Sequence, residues 1–380
     1  MSNKMRVSLA TALTWLLLAS CSALAQTWSQ LATVGSPPAT GYGVQVNYDA
    51  ANNRLIAFLS RLDTLASDEV WVLTHANGLG GTATWTQLLP TGTAPTINWG
   101  ATAVYDSSAN QLIVYGGCSG DCGSVLPGVY VLTYANGLGG TPAWSQSTTN
   151  TLEARALQTA VYNGSNKRMV TFGGELGFFG TSQNDTRVLL GANQSSSTWN
   201  TLATSGGPPG VRDAQSAVYD AVHNVMTTFG GEDLISTCCP YSISDYNDVW
   251  VLSNADGSGN ATPTWTQLSP TGTAPPPRAN HSAVYDSERN VMYVFGGSQF
   301  SDSTQSTSIL GDLWKLTNAN GLGPATPKWK QIGQLGTPPG GNYSHGAAFD
   351  QVNQRMIVFG GTDRNSKAHN LTFILDLLQH

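Results

Sequence analysis

The stretch AVYDSERNVMYVFGG spans residues 283–297 and reads as two short apolar runs around a polar turn, closed by two glycines. Near-copies begin at 103 (AVYDSSANQLIVYGG), 160 (AVYNGSNKRMVTFGG) and 217 (AVYDAVHNVMTTFGG), and a looser one at 347 (AAFDQVNQRMIVFGG). The second glycines stand at 117, 174, 231, 297 and 361. One further step back reaches Ser60, in VNYDAANNRLIAFLS, which keeps the Tyr-Asp pair and the apolar run but not the glycines. The chain therefore writes one hairpin six times. In the 283–297 copy, Asp286 is expected to cap the turn by accepting backbone N–H groups, and Asn290 to take a left-handed conformation. Gly296 and Gly297 then allow positive φ and close backbone approach.

Two more strands follow each hairpin. The third reads EVWVL (69–73), GVYVL (128–132), DVWVL (248–252) and DLWKL (312–316), with TRVLL (186–190) and NLTFI (370–374) departing from the pattern. The fourth carries Trp85, Trp144, Trp199, Trp265 or Trp329, and the turn before it is written ANGLGG or a variant at 76, 135, 255 and 319. Four strands per unit over six units predict an all-β fold, a six-bladed β-propeller. The sixth unit ends after its third strand, and the missing tryptophan strand is TWSQLA, 27–32, at the other terminus. The N-terminal strand is thus predicted to complete the last blade.

Composition agrees. Of 380 residues only 11% are charged, 42 are glycine, and the formal net charge is −6. Scarce charge and abundant glycine suit short strands and tight turns. There is no basic run for tracking phosphates, so a nucleic-acid partner is not expected. Residues 1–25 read as a signal peptide: Lys4 and Arg6, an apolar run from 7 to 19, then Ala23-Leu24-Ala25 as a small-residue cleavage site. Residues 26–380 are then the propeller. Leu18-Ala19-Ser20-Cys21 also resembles the bacterial lipobox, which would lipidate Cys21 and anchor the chain; plain cleavage is the preferred reading. No other segment is apolar and long enough to span a membrane. An exported chain lies outside the cell or in the periplasm, where Cys118, Cys122, Cys238 and Cys239 can form disulfides. A local Cys118–Cys122 bridge is favoured among the pairings, and Cys238–Cys239 would be a strained vicinal ring.

The units resemble kelch repeats, in the double glycine after an apolar strand, the aromatic in the third strand, the tryptophan in the fourth, and PPPRANHSAVYD (275–286) leading into the first. The resemblance covers essentially all of 27–378. It implies the propeller and leaves activity open, because one scaffold hosts many functions. A galactose oxidase-like propeller would need a histidine from a further C-terminal domain. Bacterial sialic acid mutarotases are similar in size, export and unit number, and their catalytic motif is not matched here residue by residue.

In such a blade the connections between strands two and three, and between blades, emerge on one face. Those connections are long and varied here (118–128, 175–186, 232–247, 298–311, 362–369), whereas the opposite turns are short or repetitive. Varied loops on a rigid frame place binding on the long-loop face. Candidates there recur in register. Arg155, Arg212 and Arg278 lie seven before the first-strand aromatic, and His281 and His345 four before it. Trp99 and Tyr343 lie six before it, and Glu175 and Glu232 follow the glycine pair. Around a concave mouth these groups suit a carbohydrate or an acidic peptide. The arginines and histidines also suit a second role, bridging neighbouring blades through loop carbonyls. No HExxH, G-x-S-x-G, P-loop or dinucleotide fingerprint is present, and no metal or cofactor is expected. The reading is a monomeric binding module for a carbohydrate or cell-surface protein. A sugar-modifying epimerase is the alternative, with an oxidase behind it.

Overall fold

A computed structural model describes residues 26–39, 43–60, 68–97, 99–119, 124–150, 153–177, 180–236 and 242–378. The signal peptide with Cys21, and Cys122, Cys238 and Cys239, lie outside the described residues, so the leader and the disulfide pairings do too. Among the described residues no helix is long and apolar enough to cross a membrane.

Each copy of the hairpin forms the two inner strands of an antiparallel sheet, and six such sheets stand around a central axis. Blade five shows the plain pattern: Ser282–Asp286, Val291–Phe295, Leu313–Thr317 and Lys328–Ile332 follow one another outward. Its inner hairpin turns as its residues require. Asp286 accepts the backbone N–H groups of Glu288 and Arg289 at 3.1 Å each, and Asn290 sits at φ 53°. Gly297 sits at φ 100°, where a Cβ would lie 2.7 Å from the Ala279 carbonyl oxygen. Only glycine fits both the angle and the approach.

The ring closes as the two ends predict. Gln26–Gln30 pairs antiparallel with Thr372–Asp376, placing Trp28 opposite Leu375 as the fourth strand of blade six. Each fourth-strand tryptophan packs on the last aromatic of the neighbouring blade's second strand: Trp85 on Phe359, Trp144 on Phe58, Trp199 on Tyr115, Trp265 on Phe172, Trp329 on Phe229 and Trp28 on Phe295. Centroid separations run from 4.5 to 6.2 Å. Such pairs contribute about 0.5–1.5 kcal/mol each beyond the area they bury. The circle has no gap, because the N-terminal Trp28 fills the sixth place.

One regularity went unread in the sequence. The segment leaving each blade runs parallel to the tryptophan strand of the next, as Thr33 with Ala83, Thr91 with Ala143, Thr148 with Ser196, Ser205 with Thr264, Thr271 with Lys328 and Gln334 with Gln26. These links cover the outer edges of the tryptophan strands, which would otherwise be open to pairing with other chains.

Candidate functional site

The two ends of the ring differ. At the hairpin-turn end, the first strand of a blade finishes on an aspartate that accepts an amide from the strand three–four turn of the next blade. Asn77 donates to Asp350 at 2.6 Å, Asn136 to Asp49 at 2.6 Å, Asn193 to Asp106 at 2.9 Å and Asn320 to Asp220 at 2.8 Å. The amides hold Asp350 and Asp220 below the usual carboxylate range despite burial. The repeated ANGLGG turn therefore clamps blades together, and its asparagine side chains are committed to that task.

At the other end, the residues five before the first-strand aromatic all adopt a left-handed conformation: Gly43, Gly100, Leu157, Ala214, Asn280 and Ser344 have φ between 51° and 74°. They pass hydrogen bonds from blade to blade. Leu157 N donates to Gly100 O, Ala214 N to Leu157 O, Asn280 N to Ala214 O and Ser344 N to Asn280 O, at 2.8–3.1 Å. Inside this collar lies a cavity of about 120 Å³, whose walls include Trp99, Gln158, Gln215, His281 and His345. That volume holds a few water molecules at about 30 Å³ each.

The structure separates the sequence candidates by role. Arg212 and Arg278 are fully buried and point into the blades. Arg278 makes a bidentate pair with Asp312 at 2.7 and 2.9 Å and donates to the carbonyls of Gly296 and Pro276. Arg212 does the same with Asp248, Gly230 and Gly210, and Tyr246 lies 4.2 Å from its guanidinium. Arg155 pairs with Asp185 and Glu153, each at 3.1 Å. The arginines tie the blade-entry loop to the start of the third strand. Their aspartates also accept an indole N–H two residues on, from Trp250 at 2.7 Å and Trp314 at 2.6 Å. In blade three Arg187 replaces that tryptophan and donates to Asp185 at 2.5 Å, which accounts for the missing aromatic in TRVLL. The Asp-x-Trp spacing before the third strand is the signal that marks these pairs.

His281 and His345 join neighbouring blades. Their Nε2 atoms lie 2.8 Å from the hydroxyls of Ser216 and Ser282, and their rings meet Phe229 and Phe295 edge-on. Burial holds both imidazoles neutral, with His345 pushed down to about 3. Gln158 and Gln215 take the same position in blades three and four and donate to Tyr115 O and Phe172 O. Trp99 opens its strand, with its indole against Gly43 at the cavity. Tyr343 pairs with Thr362 at the entry to blade six.

Glu175 and Glu232 come together through a third carboxylate, Asp213, which the repeat pattern did not single out. Asp213 pairs with Glu232 in a backbone bridge and accepts the Ser182 hydroxyl at 2.9 Å. Burial, with Asp213 nearby, pushes Glu175 up to about 8. Burial and the repulsion of Asp213, Asp245 and Glu175 raise Glu232 as well. These carboxylates sit on the long-loop side and are not among the residues lining the central cavity. Among the described residues no group of three or more histidines, cysteines, aspartates or glutamates is placed to hold a metal ion.

The long-loop face also carries elements that the opposite face lacks. In blade four, Glu232–Ser236 and Ser242–Asp245 form a separate two-stranded sheet. In blade five, Ser298–Ser301 and Ser306–Ile309 form another. Both fall within connections read as loops.

Comparison with known proteins supports the same architecture. The KLHDC2/KLHL20/DRC7 Kelch-repeats domain matches residues 60–256 and 159–321, together well over half the chain. Acyl-CoA-binding domain-containing protein 4 of Arabidopsis thaliana is 28% identical over 171 residues, 45% of this chain and 21% of that protein. Kelch domain-containing protein 3 of Bos taurus is 28% identical over 215 residues, 56% of this chain and 50% of that one. Host cell factor 1 of Rattus norvegicus is 30% identical over 203 residues, 51% and 9% respectively. The matched region thus spans half or less of each of these relatives.

Proposed function

The chain belongs to the kelch-repeat family, and from that premise we propose that it is an exported binding protein that holds a partner protein on its long-loop face. A kelch propeller is a scaffold suited to protein–protein binding, and its blades supply rigidity to whatever its loops present. The observation that carries the reading is the asymmetry between the two faces. The hairpin-turn face repeats one Asp–Asn clamp almost blade by blade. Among the described residues the long-loop face carries no such uniform clamp and raises two extra hairpins, in blades four and five.

Export rests on Lys4, Arg6, the apolar run to residue 19 and Ala23-Leu24-Ala25. Against an enzyme stands the separation of parts: the central cavity is small and walled by neutral imidazoles and amides, and the crowded carboxylates lie away from it. Carbohydrate is the competing ligand class. The test pans a random peptide library against the folded chain beside a glycan array, and maps every binder by hydrogen exchange. Peptides that protect 232–247 or 298–311 are the expected result. Glycan hits alone, or footprints confined to the opposite turns, would overturn the proposal.

A further inference from the structure

The two extra hairpins lean on each other. The Ser242 hydroxyl and the Ile243 N–H donate to Asp302 at 3.0 and 3.2 Å, and the Phe300 N–H donates to Asp245 at 2.6 Å. Blades four and five therefore share one raised wall, built from strands that belong to neither blade sheet. Ile235 is 64% exposed on it, and Leu234, Ile243 and Phe300 are half-buried. The wall is thus apolar in part, a feature of a surface that holds a partner segment.

Its charge is mostly of one sign: Arg364 reaches the base of the blade-five hairpin, donating from Nε to the Ile309 carbonyl at 3.2 Å, and carboxylates hold the rest. No lysine or arginine occurs from 213 to 277 or from 298 to 311. Arg212 and Arg278, which flank the first span, are held by Asp248 and Asp312 inside the blades. His281, behind the wall, is kept neutral by burial. Asp233, Asp245 and Asp302 lie on the hairpins, and Glu232, Asp213 and Glu175 continue inward from them. Each link in this chain repels the next. Burial and Asp302 push Asp245 up to about 6, and Asp233 acts on Asp213. A surface that crowds like charges, with Arg364 only at the base of its blade-five hairpin, gains most from a partner that brings cations.

We propose that the paired hairpins of blades four and five dock a Lys/Arg-rich, partly apolar segment of a partner protein, whose cations neutralise Asp233, Asp302 and the carboxylates between them. The proposal rests on the protein-binding reading above and narrows it to one part of the face and one partner chemistry. Cations arriving beside carboxylates that hold protons will displace some of them, so docking should tighten as pH rises from 5.5 to 8.

The experiment titrates the full folded chain into labelled twelve-residue peptides of shared apolar content, one carrying four Lys or Arg and one carrying four Glu, at two pH values and rising salt. The basic peptide should bind at least tenfold tighter, more tightly at pH 8, and should weaken steeply with salt. Asp233→Asn with Asp302→Asn should cost about tenfold, while Glu288→Gln on the opposite face should cost nothing. Asp233→Asn alone, read beside its melting temperature, guards against loss of the hairpin contact. Equal binding of the two peptides, or an unchanged affinity in the double variant, would overturn the proposal. If library peptides still footprint elsewhere on the long-loop face, the charge argument alone has failed; if none touch that face, the binding reading has failed with it.

Discussion

Asn163 and Asp256 exchange the roles that the other asparagine-clamped seams give to an aspartate and an asparagine. Elsewhere the first strand ends in Asp and the next blade's turn supplies Asn. Between blades three and four the strand ends in Asn163, which donates to the carboxylate of Asp256 at 2.6 Å. Asp256 also accepts Asn224 at 2.7 Å and the amide of Asn166, so burial does not lift it and it stays below the usual carboxylate range. One acid and one amide per seam are preserved with the direction reversed.

That reversal predicts a compensating pair. Asn163→Asp would set two carboxylates against each other, and Asp256→Asn would leave an amide facing an amide. Each single change should cost about 1–3 kcal/mol. The double exchange restores the pattern of the other seams and should recover most of the loss. Urea unfolding of the four proteins measures the coupling directly, and simple additivity would show that the two residues do not act as a pair.

Arg278→Ala is predicted to act on stability. The guanidinium is fully buried and bidentate on Asp312, so its loss leaves the half-buried Asp312 carboxylate with the Trp314 indole but no cation, and removes the guanidinium donor to the Gly296 carbonyl. Breaking such a pair from one side costs about 3–5 kcal/mol. Arg278→Lys should recover only part of it, because an ammonium cannot make the fork contact. A melting temperature within a degree of the parent would return Arg278 to the list of groups free to meet a ligand.

Much of this fold was legible because its unit is local. Most hairpins carry their own cap, turn asparagine and glycine pair within fifteen letters, although the first lacks the glycines and Lys167 and Gln354 take the asparagine's place in the third and sixth. Trp28 was readable because the sixth copy lacks a fourth strand. The contacts that decide which polar residues are free are not local. Arg278 meets Asp312 across 34 positions and Asn163 meets Asp256 across 93, so register alone could not tell a strut from a ligand-binding group. Asp213 was passed over because it occupies a position filled by Trp99 in blade two and Tyr343 in blade six. The raised hairpins hid for another reason. Their serine-rich strands have weak β propensity and are held partly by Asp245 and Asp302 from the neighbouring hairpin.

The collar offers a stabilising substitution. Ala214 sits at φ 51°, a conformation that costs an L-residue about 1–2 kcal/mol relative to glycine. Its N–H and C=O are both used in the collar, so the backbone cannot relax away. Ala214→Gly should raise stability by up to about 1 kcal/mol once the extra freedom of the unfolded glycine is subtracted. Chemical denaturation reads this directly, and a loss of stability would mean that the methyl group matters more to packing than the angle does.

The pH profile should show the buried carboxyls and imidazoles working in different windows. Burial pushes Glu175 and Asp68 up to about 8, whereas unfolded carboxyls titrate near about 4. Between those values the folded chain holds more protons than the unfolded one. The stability they contribute is complete below the unfolded value and is lost as pH rises through 8. The histidines run the other way. His345 is pushed down to about 3 and His281 is also lowered, against about 6.5 unfolded. Their contribution is complete above 6.5 and is lost as pH falls. Above 6.5 only the carboxyl effect remains, so the melting temperature should fall steadily from pH 6.5 to 8.5. Below about 4.5 the contribution of Glu175 and Asp68 is level, while the histidines and the aspartates held below the usual range, among them Asp220, Asp256 and Asp350, both lose stability as pH falls, so the melting temperature should fall again. Glu175→Gln keeps the shape of a protonated carboxyl and should make the alkaline limb shallower, with Asp68, Asp213 and Glu232 supplying what remains, while leaving the acid limb in place. A melting temperature that stays level from pH 6.5 to 8.5 in the parent chain would show that Glu175 and Asp68 are ionised in the folded state.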